Sequence, residues 1–317
     1  MSLNILALDC KLNDKQLAAI SAAHANLQIT SCKSPDALNY IGETDVLLAW
    51  GQLHLQELLP AAPRLKWVHA LSAGVDGMLS PELIQSDIIL TNSRGIHGIP
   101  IAEHVLGVML AYQRDLFTAF RQQKEKSWQR LRSSDEIYEK SIAIIGLGSI
   151  GRAIAKRAKS MGMTVTATKH KQTTELFVDK LYPPSEIGAA ISDADFVVVT
   201  LPLTPETENL FTLQMFQKMK SSACFINVSR GPIVNETDLK TALDEKIIRY
   251  AALDVFETEP LPADSPLWET ENLLITPHSA ANSPHYMDRC IKIFVENLSH
   301  FTLSNNMINI VDKVRGY

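Results

Sequence analysis

Three short segments in the C-terminal half carry residue types that bind carboxylates and move protons. They are Asn227-Val228-Ser229-Arg230-Gly231-Pro232, Leu253-Asp254-Val255-Phe256-Glu257-Thr258-Glu259-Pro260 and Ile275-Thr276-Pro277-His278-Ser279. Each directly follows an apolar run, and in open α/β sheets ligands bind beyond the carboxyl ends of the strands. Taken singly, Arg230 reads as a surface ion pair, Glu259-Pro260 as an ordinary loop and His278 as a satisfied core histidine. Their occurrence together, in order and behind a glycine loop, outweighs those readings. That loop is Gly146-Leu147-Gly148-Ser149-Ile150-Gly151, a GxGxxG between the apolar run 142–145 and the helix-like stretch 152–161. In such a loop the first glycine makes a tight turn, the second lets a pyrophosphate approach the backbone, and the third lets helix and strand pack closely. The unpaired N–H groups and dipole of the helix N-terminus then attract the phosphates without a cationic side chain.

Folds of this kind that select NAD place Asp or Glu about 20 residues further on, where a carboxylate accepts from the adenosine ribose hydroxyls. Here that slot holds Lys169, 18 residues after Gly151, in the sequence Thr168-Lys169-His170-Lys171. A cation pairs with a 2′-phosphate and gains nothing from a bare ribose, so NADP(H) is favoured over NAD(H). In the alternative, Lys169 and Lys171 merely end an exposed strand and Glu175 supplies the acid from the next loop.

The elements that must position these groups read as α/β throughout, because short apolar or β-branched runs alternate with helical stretches. Strands are expected at 4–8, 27–30, 46–50, 67–71 and 88–91, with a helix at 14–24, which suffices for one small parallel-sheet domain. A long helix is expected over 99–117, with Pro100 in its first turn, carrying the chain to a second domain. Strands restart at 141–145, 164–168, 196–201, 224–228, 251–255 and 273–276, the count of a doubly wound nucleotide fold. A last helix opens with Ser283 as N-cap and Pro284 at N1, its apolar residues Ile291, Phe294, Val295, Leu298 and Phe301 sharing one face. The expected domains are 1–97 plus 284–317, for substrate, and 98–283, for the dinucleotide.

The bulk numbers exclude several classes of function. Of 317 residues, 46% are hydrophobic and 21% charged, ordinary for a folded chain, and that length allows two cores. A net charge of −5, without a long basic run, lacks the electrostatic footprint of nucleic-acid binding. The densest basic stretch, Arg114 to Arg132, is broken by Asp115 and Glu125 and reads as a solvated face or subunit contact. Cys10, Cys32, Cys224 and Cys290 are far apart and show no metal-ligand spacing, so they read as reduced thiols, with no metal expected. Residues 1–10 lack the features of a secretion signal and no stretch is apolar enough to span a membrane, so a cytoplasmic protein is expected. His24, His54, His69, His97, His285 and His300 read as structural, whereas Glu103 and His104 are balanced between helix packing and a role beside the cofactor.

With these segments in view, the chain resembles the D-isomer-specific 2-hydroxyacid dehydrogenase family over nearly its full length. Further similarities are Ser72-Ala73-Gly74-Val75-Asp76, Ile101-Ala102-Glu103-His104, Leu201-Pro202-Leu203-Thr204 and the terminal Arg315-Gly316-Tyr317. The resemblance implies a Rossmann dinucleotide-binding domain and a smaller flavodoxin-like substrate domain. It implies that Arg230, Glu259 and His278 are the catalytic residues of a hydride transfer between a nicotinamide cofactor and a small 2-keto or D-2-hydroxy acid. Arg230 would fork onto the substrate carboxylate and neighbouring carbonyl oxygen. An imidazole, with an ordinary pKa of about 6.5, suits the proton donor and acceptor role given to His278. Glu259 beside it would hold its tautomer and favour its protonated form. The resemblance also implies that Asp254 lies near the nicotinamide carboxamide and that the N–H groups of Gly74 and Val75 meet the substrate carboxylate. Lys169, His170 and Lys171 at the end of the second strand and Pro202 and Thr204 behind a later one are read as lining the cofactor, and Trp50, Gly51 and Ala73 as lining the substrate.

Glyoxylate, hydroxypyruvate and larger aliphatic keto acids are the candidate substrates. The segment Ala49-Trp50-Gly51-Gln52-Leu53-His54 offers no cation for a phosphate, and the chain ends without an added regulatory domain, so phosphoglycerate oxidation is the weaker expectation. Glutamate rather than glutamine before Pro260 disfavours formate oxidation. A dinucleotide-sensing corepressor is the alternative of a different class, disfavoured by the lack of a disordered tail. A homodimer built through the cofactor domain is implied by the resemblance.

Overall fold

Strands buried on both faces are near-continuous apolar runs, and here they assemble two separate all-parallel sheets. The computed structural model describes residues 2–24, 26–131, 134–303 and 306–316. Arg132 and Tyr317, named above, lie outside the described residues. The chain divides into two units, 1–97 with 283–317, and 98–282.

In the first unit five strands, β1 (Leu3–Leu8), β2 (Leu27–Cys32), β3 (Val46–Ala49), β4 (Trp67–Ala70) and β5 (Ile89–Asn92), lie in the order β2-β1-β3-β4-β5. The two-residue period sends alternate side chains to opposite faces. Ile5, Ala7, Val46, Leu48 and Trp67 therefore pack on one face against Ile20 of α1 (Asp14–Ala22) and Ile291, Phe294 and Leu298 of a C-terminal helix, Tyr286–Leu303. Leu6, Leu8, Leu47, Ala49 and Val68 pack on the other, against Ala37, Ile41 and Leu83 of the short helix α2 (Pro81–Gln85). The expected apolar stripe of the C-terminal helix is thus core, with Phe294 stacked on Trp67 at 4.9 Å between ring centroids.

The second unit holds β6 (Ser141–Ile145), β7 (Thr164–Thr168), β8 (Lys180–Tyr182), β9 (Phe196–Val199), β10 (Cys224–Asn227), β11 (Tyr250–Leu253) and β12 (Leu273–Ile275) in the order β12-β11-β10-β9-β6-β7-β8. The chain winds outward from β6 through β7 to β8, then restarts at β9 on the other side of β6. In sheets of this kind ligands bind at such a reversal, which here falls at the carboxyl ends of β6 and β9. One face packs on α3 (Gly98–Gln113) and α5 (Ser149–Ser160), the other on α6 (Ile187–Ile191), α7 (Leu213–Phe216) and α8 (Glu236–Asp244).

Three sequence expectations are corrected. The helix expected over 99–117 is two: Asp115 adopts a left-handed conformation (φ 54°) that ends α3 and starts α4 (Leu116–Lys124). The C-terminal helix α9 begins at Tyr286, because Ser283 instead caps a turn, its hydroxyl accepting from His285 N–H at 3.2 Å. The sheet has a seventh strand, β8, which was not anticipated. Among the described residues no helix is long and apolar enough to cross a membrane, and no cluster of His, Cys, Asp or Glu could hold a metal ion. All four cysteines are free.

Candidate active site

The glycine loop joins β6 to α5, and its first and third glycines are required by the fold itself. Gly146 sits at φ +103°, and a Cβ on Gly151 would lie 2.6 Å from the carbonyl oxygen of Gly146. Thr168 at the end of β7 accepts from Gly146 N–H at 3.0 Å, and the Thr200 hydroxyl donates to Gly146 O at 2.6 Å, so both neighbouring strands clamp the turn. Gly148 differs: its φ is an ordinary −86°, and a Cβ there would meet no protein atom within 4 Å. Neither backbone nor packing demands glycine at 148, and a cradle that a Cβ would fill fits the close approach of a pyrophosphate. Gly148 and Ser149 are exposed at the N-terminus of α5, with Ile150 half-buried behind them. Pro202 is exposed and Thr204 half-buried beyond β9, where Thr207 ties the turn by donating to Pro202 O at 2.7 Å.

Lys169 leaves the end of β7 with its N–H donating to Tyr182 O of β8 at 3.0 Å. Its ammonium lies 2.5 Å from Glu175, whose carboxylate is also held by Arg152 through Nε and Nη2 at 2.8 and 2.7 Å. These two cations pull the Glu175 carboxyl down to about 2. His170 and Lys171 are exposed. In the sequence Glu175 and Lys169 stand as alternatives; in the fold they are partners, joined by Arg152 through a contact that depends on how the 170–179 loop folds.

The imidazole of His278 and the carboxylate of Glu259 meet, Nδ1 to Oε2, at 2.7 Å. The other oxygen, Oε1, accepts from Phe256 N–H at 3.0 Å, so the carboxylate is tethered at both ends. Both side chains are partly open, 50% and 36% exposed. His278 holds a left-handed backbone (φ 48°), an uncommon state for a residue other than glycine, in which its N–H donates to Asp254 O at 2.8 Å. Asp254 itself is buried and organises this turn: Oδ1 accepts from the Thr276 hydroxyl and Ser279 N–H, and Oδ2 from Ala280 N–H. With the ring's Nδ1 bound to carboxylate, Nε2 is the ring atom left to donate or accept a proton.

Arg230 follows β10 in the adjacent segment and is half-buried, with Nη1 donating to Ser229 O at 2.8 Å. Asn227 fixes its backbone, donating from Nδ2 to Arg230 O at 3.0 Å and accepting from the Ser229 N–H and hydroxyl. Asp254 N–H donates to Asn227 O, and Gly231 lies so close to the Phe256 backbone that a Cβ would fall 1.9 Å from it. The arginine and glutamate segments are therefore locked side by side. Sequence reading missed Glu236 at the start of α8, which accepts from Glu257 N–H at 2.8 Å and whose carboxyl burial pushes upward. Of the balanced pair on α3, burial lowers the basicity of His104 against the opposing field of Asp254, while Glu103 reaches Arg157 at 3.7 Å.

In the first unit, Trp50 and Gly51 follow β3, and Ala73, Gly74 and Val75 follow β4. A Cβ on Gly51 would lie 2.0 Å from Gly74 O, so glycine is needed at 51 for the two turns to approach. Ser72 bridges them, accepting from Gly51 N–H at 3.1 Å and donating to Gly74 O at 2.6 Å, and Asn92 donates to Ala73 O at 2.7 Å. Trp50 stacks on Tyr286 at 5.8 Å.

Residues 106–280 match the family model described as D-isomer specific 2-hydroxyacid dehydrogenase, NAD binding domain. The chain is 32% identical over 289 residues to a D-3-phosphoglycerate dehydrogenase of Methanocaldococcus jannaschii, covering 89% of this chain and 55% of that one, so it spans about half the length of that relative. It is 31% identical over 291 residues to glyoxylate/hydroxypyruvate reductase B of Yersinia pestis, covering 89% of each. A D-isomer specific 2-hydroxyacid dehydrogenase from Xanthobacter autotrophicus, solved in complex with NADPH and MES, superposes with a TM-score of 0.86 at 30% identity, over 100% of this chain and 99% of the other.

Proposed function

Because the chain belongs to the D-isomer-specific 2-hydroxyacid dehydrogenase family, we propose that it reduces small 2-keto acids to D-2-hydroxy acids, reversibly, with NADP(H). The observation that carries this is the tethered His278–Glu259 pair at 2.7 Å, on the same sheet as the glycine loop. When bound, the reduced nicotinamide supplies the hydride. Arg230 pairs with the substrate carboxylate and polarises the keto oxygen. His278 gives its Nε2 proton to that oxygen, and Glu259 holds Nδ1 so that the ring keeps one orientation throughout. In the oxidative direction the imidazole takes the proton back.

Residues 98–283 form the dinucleotide-binding domain in this reading, with Gly146, Gly148, Ser149, Ile150 and Gly151 at the pyrophosphate, Lys169, His170 and Lys171 toward the adenosine, and Pro202, Thr204 and Asp254 toward the nicotinamide end. Residues 1–97 with 284–317 form the substrate domain, through Trp50, Gly51, Ala73, Gly74 and Val75. Two cations near the end of β7 and an NADPH-bound relative support the phosphorylated cofactor. The reductase relative supports glyoxylate or hydroxypyruvate as substrate.

The phosphoglycerate relatives favour a second reading, reduction of 3-phosphohydroxypyruvate. It is weakened by the cation-free segment 49–54. The four free thiols support a reducing, cytoplasmic setting. Exposed Leu116, Phe117 and Phe120 on α4, with Trp128 beyond it, support a homodimer through this unit.

The test is a panel of 2-keto acids, phosphorylated and not, assayed with NADPH and NADH separately. The proposal expects glyoxylate or hydroxypyruvate with NADPH to give the highest kcat/KM. Equal or better turnover with NADH rejects the cofactor assignment, and turnover of none of them rejects the reaction.

A further inference from the structure

Arg152, Lys169 and Glu175 form a closed ion cluster beside the glycine loop, and the catalytic chemistry uses none of them. The cations sit on rigid elements: Arg152 in the first turns of α5, and Lys169 at the end of β7, pinned by its bond to β8. The anion comes from residues 170–179, a loop without regular secondary structure that exposes Leu176 and Phe177. The Glu175 side chain is only 10% exposed, packed between its partners, while Arg152 remains 45% exposed. Two cations share one carboxylate, so the cluster carries a net positive charge.

We propose that Glu175 sets cofactor selectivity as an internal anion that a cofactor's 2′-phosphate must displace from Arg152 and Lys169. This rests on the NADP(H) reading above. A phosphate monoester carries roughly −1.5 to −2 charge and three acceptor oxygens, so it satisfies both cations better than one carboxylate does. A bare ribose is neutral: it leaves both ion pairs intact and offers hydroxyls that Glu175 accepts. Glu175 therefore weakens NADP(H) binding and sustains NAD(H) binding, narrowing a preference that the two cations alone would make wide. Because its carboxyl is held at about 2, it remains an anion throughout the neutral range.

The experiment is a fluorescence titration of NADPH and NADH into the wild type and Glu175→Gln, with adenosine 2′-phosphate as a competing probe and a thermal melt confirming that the variant folds. The expected result is about a tenfold lower Kd for NADPH and for adenosine 2′-phosphate in the variant, equivalent to about 1.4 kcal/mol, with NADH binding unchanged or weakened. A Kd for NADPH that stays the same or rises overturns the proposal, since Glu175 would then only orient the cations. Glu175→Asp, which keeps the charge, is expected to bind NADPH no more than threefold tighter than wild type; a gain equal to that of Glu175→Gln also overturns it. The wild-type ratio of NADPH to NADH affinity reports separately on the NADP(H) reading. A wild type that prefers NADH defeats that reading, yet a variant gain for NADPH still upholds the exchange.

Discussion

Replacing Gly231 by alanine puts a methyl group where the backbone of Phe256 already lies. The new Cβ would fall 1.9 Å from the Phe256 carbonyl carbon and oxygen and 2.4 Å from Glu257 N, whereas ordinary contact begins at 3.4 Å. Backbone cannot rotate away as a flexible side chain can, so the two segments must separate by about 1.5 Å. Overpacking of this kind costs about 1–3 kcal/mol of stability, which a domain of this size survives. The functional cost is larger, because Arg230 precedes the glycine and Phe256 N–H holds Glu259. A misplacement of about 1 Å in a reacting constellation costs about a hundredfold in rate. Glycine 231 to alanine is therefore expected to lower kcat/KM for keto-acid reduction by about a hundredfold or more, while NADPH titration and the melting curve show a folded, cofactor-competent protein. NADPH absorbance at saturating cofactor measures it. A folded variant within threefold of wild-type kcat/KM refutes the claim that the two segments are mutually locked.

Glu259→Gln removes the charge from the bond to Nδ1 but keeps its shape, so kcat/KM is expected to fall about tenfold; the melting temperature should barely move, since the pair is half-exposed. Gly148→Ala should fold like wild type, having open space at its Cβ, yet lose dinucleotide affinity in a fluorescence titration; unchanged affinity would mean the loop does not cradle a pyrophosphate. Burial lowers the His69 imidazole to about 3, so it stays neutral in the fold while the unfolded chain binds a proton below about 6.5. Its contribution to stability is thus fully present above about 6.5 and is lost as pH falls toward 3, by about 1.4 kcal/mol per pH unit. Urea midpoints from pH 7 to 4 should show a shallower decline for His69→Gln than for wild type.

What was legible in the sequence follows from the range of the forces involved. The parallel strands show as runs because both faces are buried, and the glycine loop shows because turn, close approach and packing each restrict the residue locally. The arginine, glutamate and histidine segments were visible as polar groups behind strands. The left-handed backbone of His278 was not, since it depends on Asp254 accepting three bonds from residues 276–280. Asp115 broke the expected long helix unseen because Leu116 and Phe117 continue its apolar character, although on the surface. Strand β8 has three residues, too few to display a period. The cluster at Glu175 joins residues 23 and 6 positions away, a pairing that only the folded loop creates.

The proton-transfer role proposed for His278 is tested most directly by single-turnover reduction of glyoxylate or hydroxypyruvate by NADPH in His278→Ala, followed at several pH values. The role predicts a rate about 10²–10⁴ times lower than wild type, with NADPH still bound at wild-type affinity. A variant that turns over within tenfold of wild type, with the same pH dependence, would contradict it.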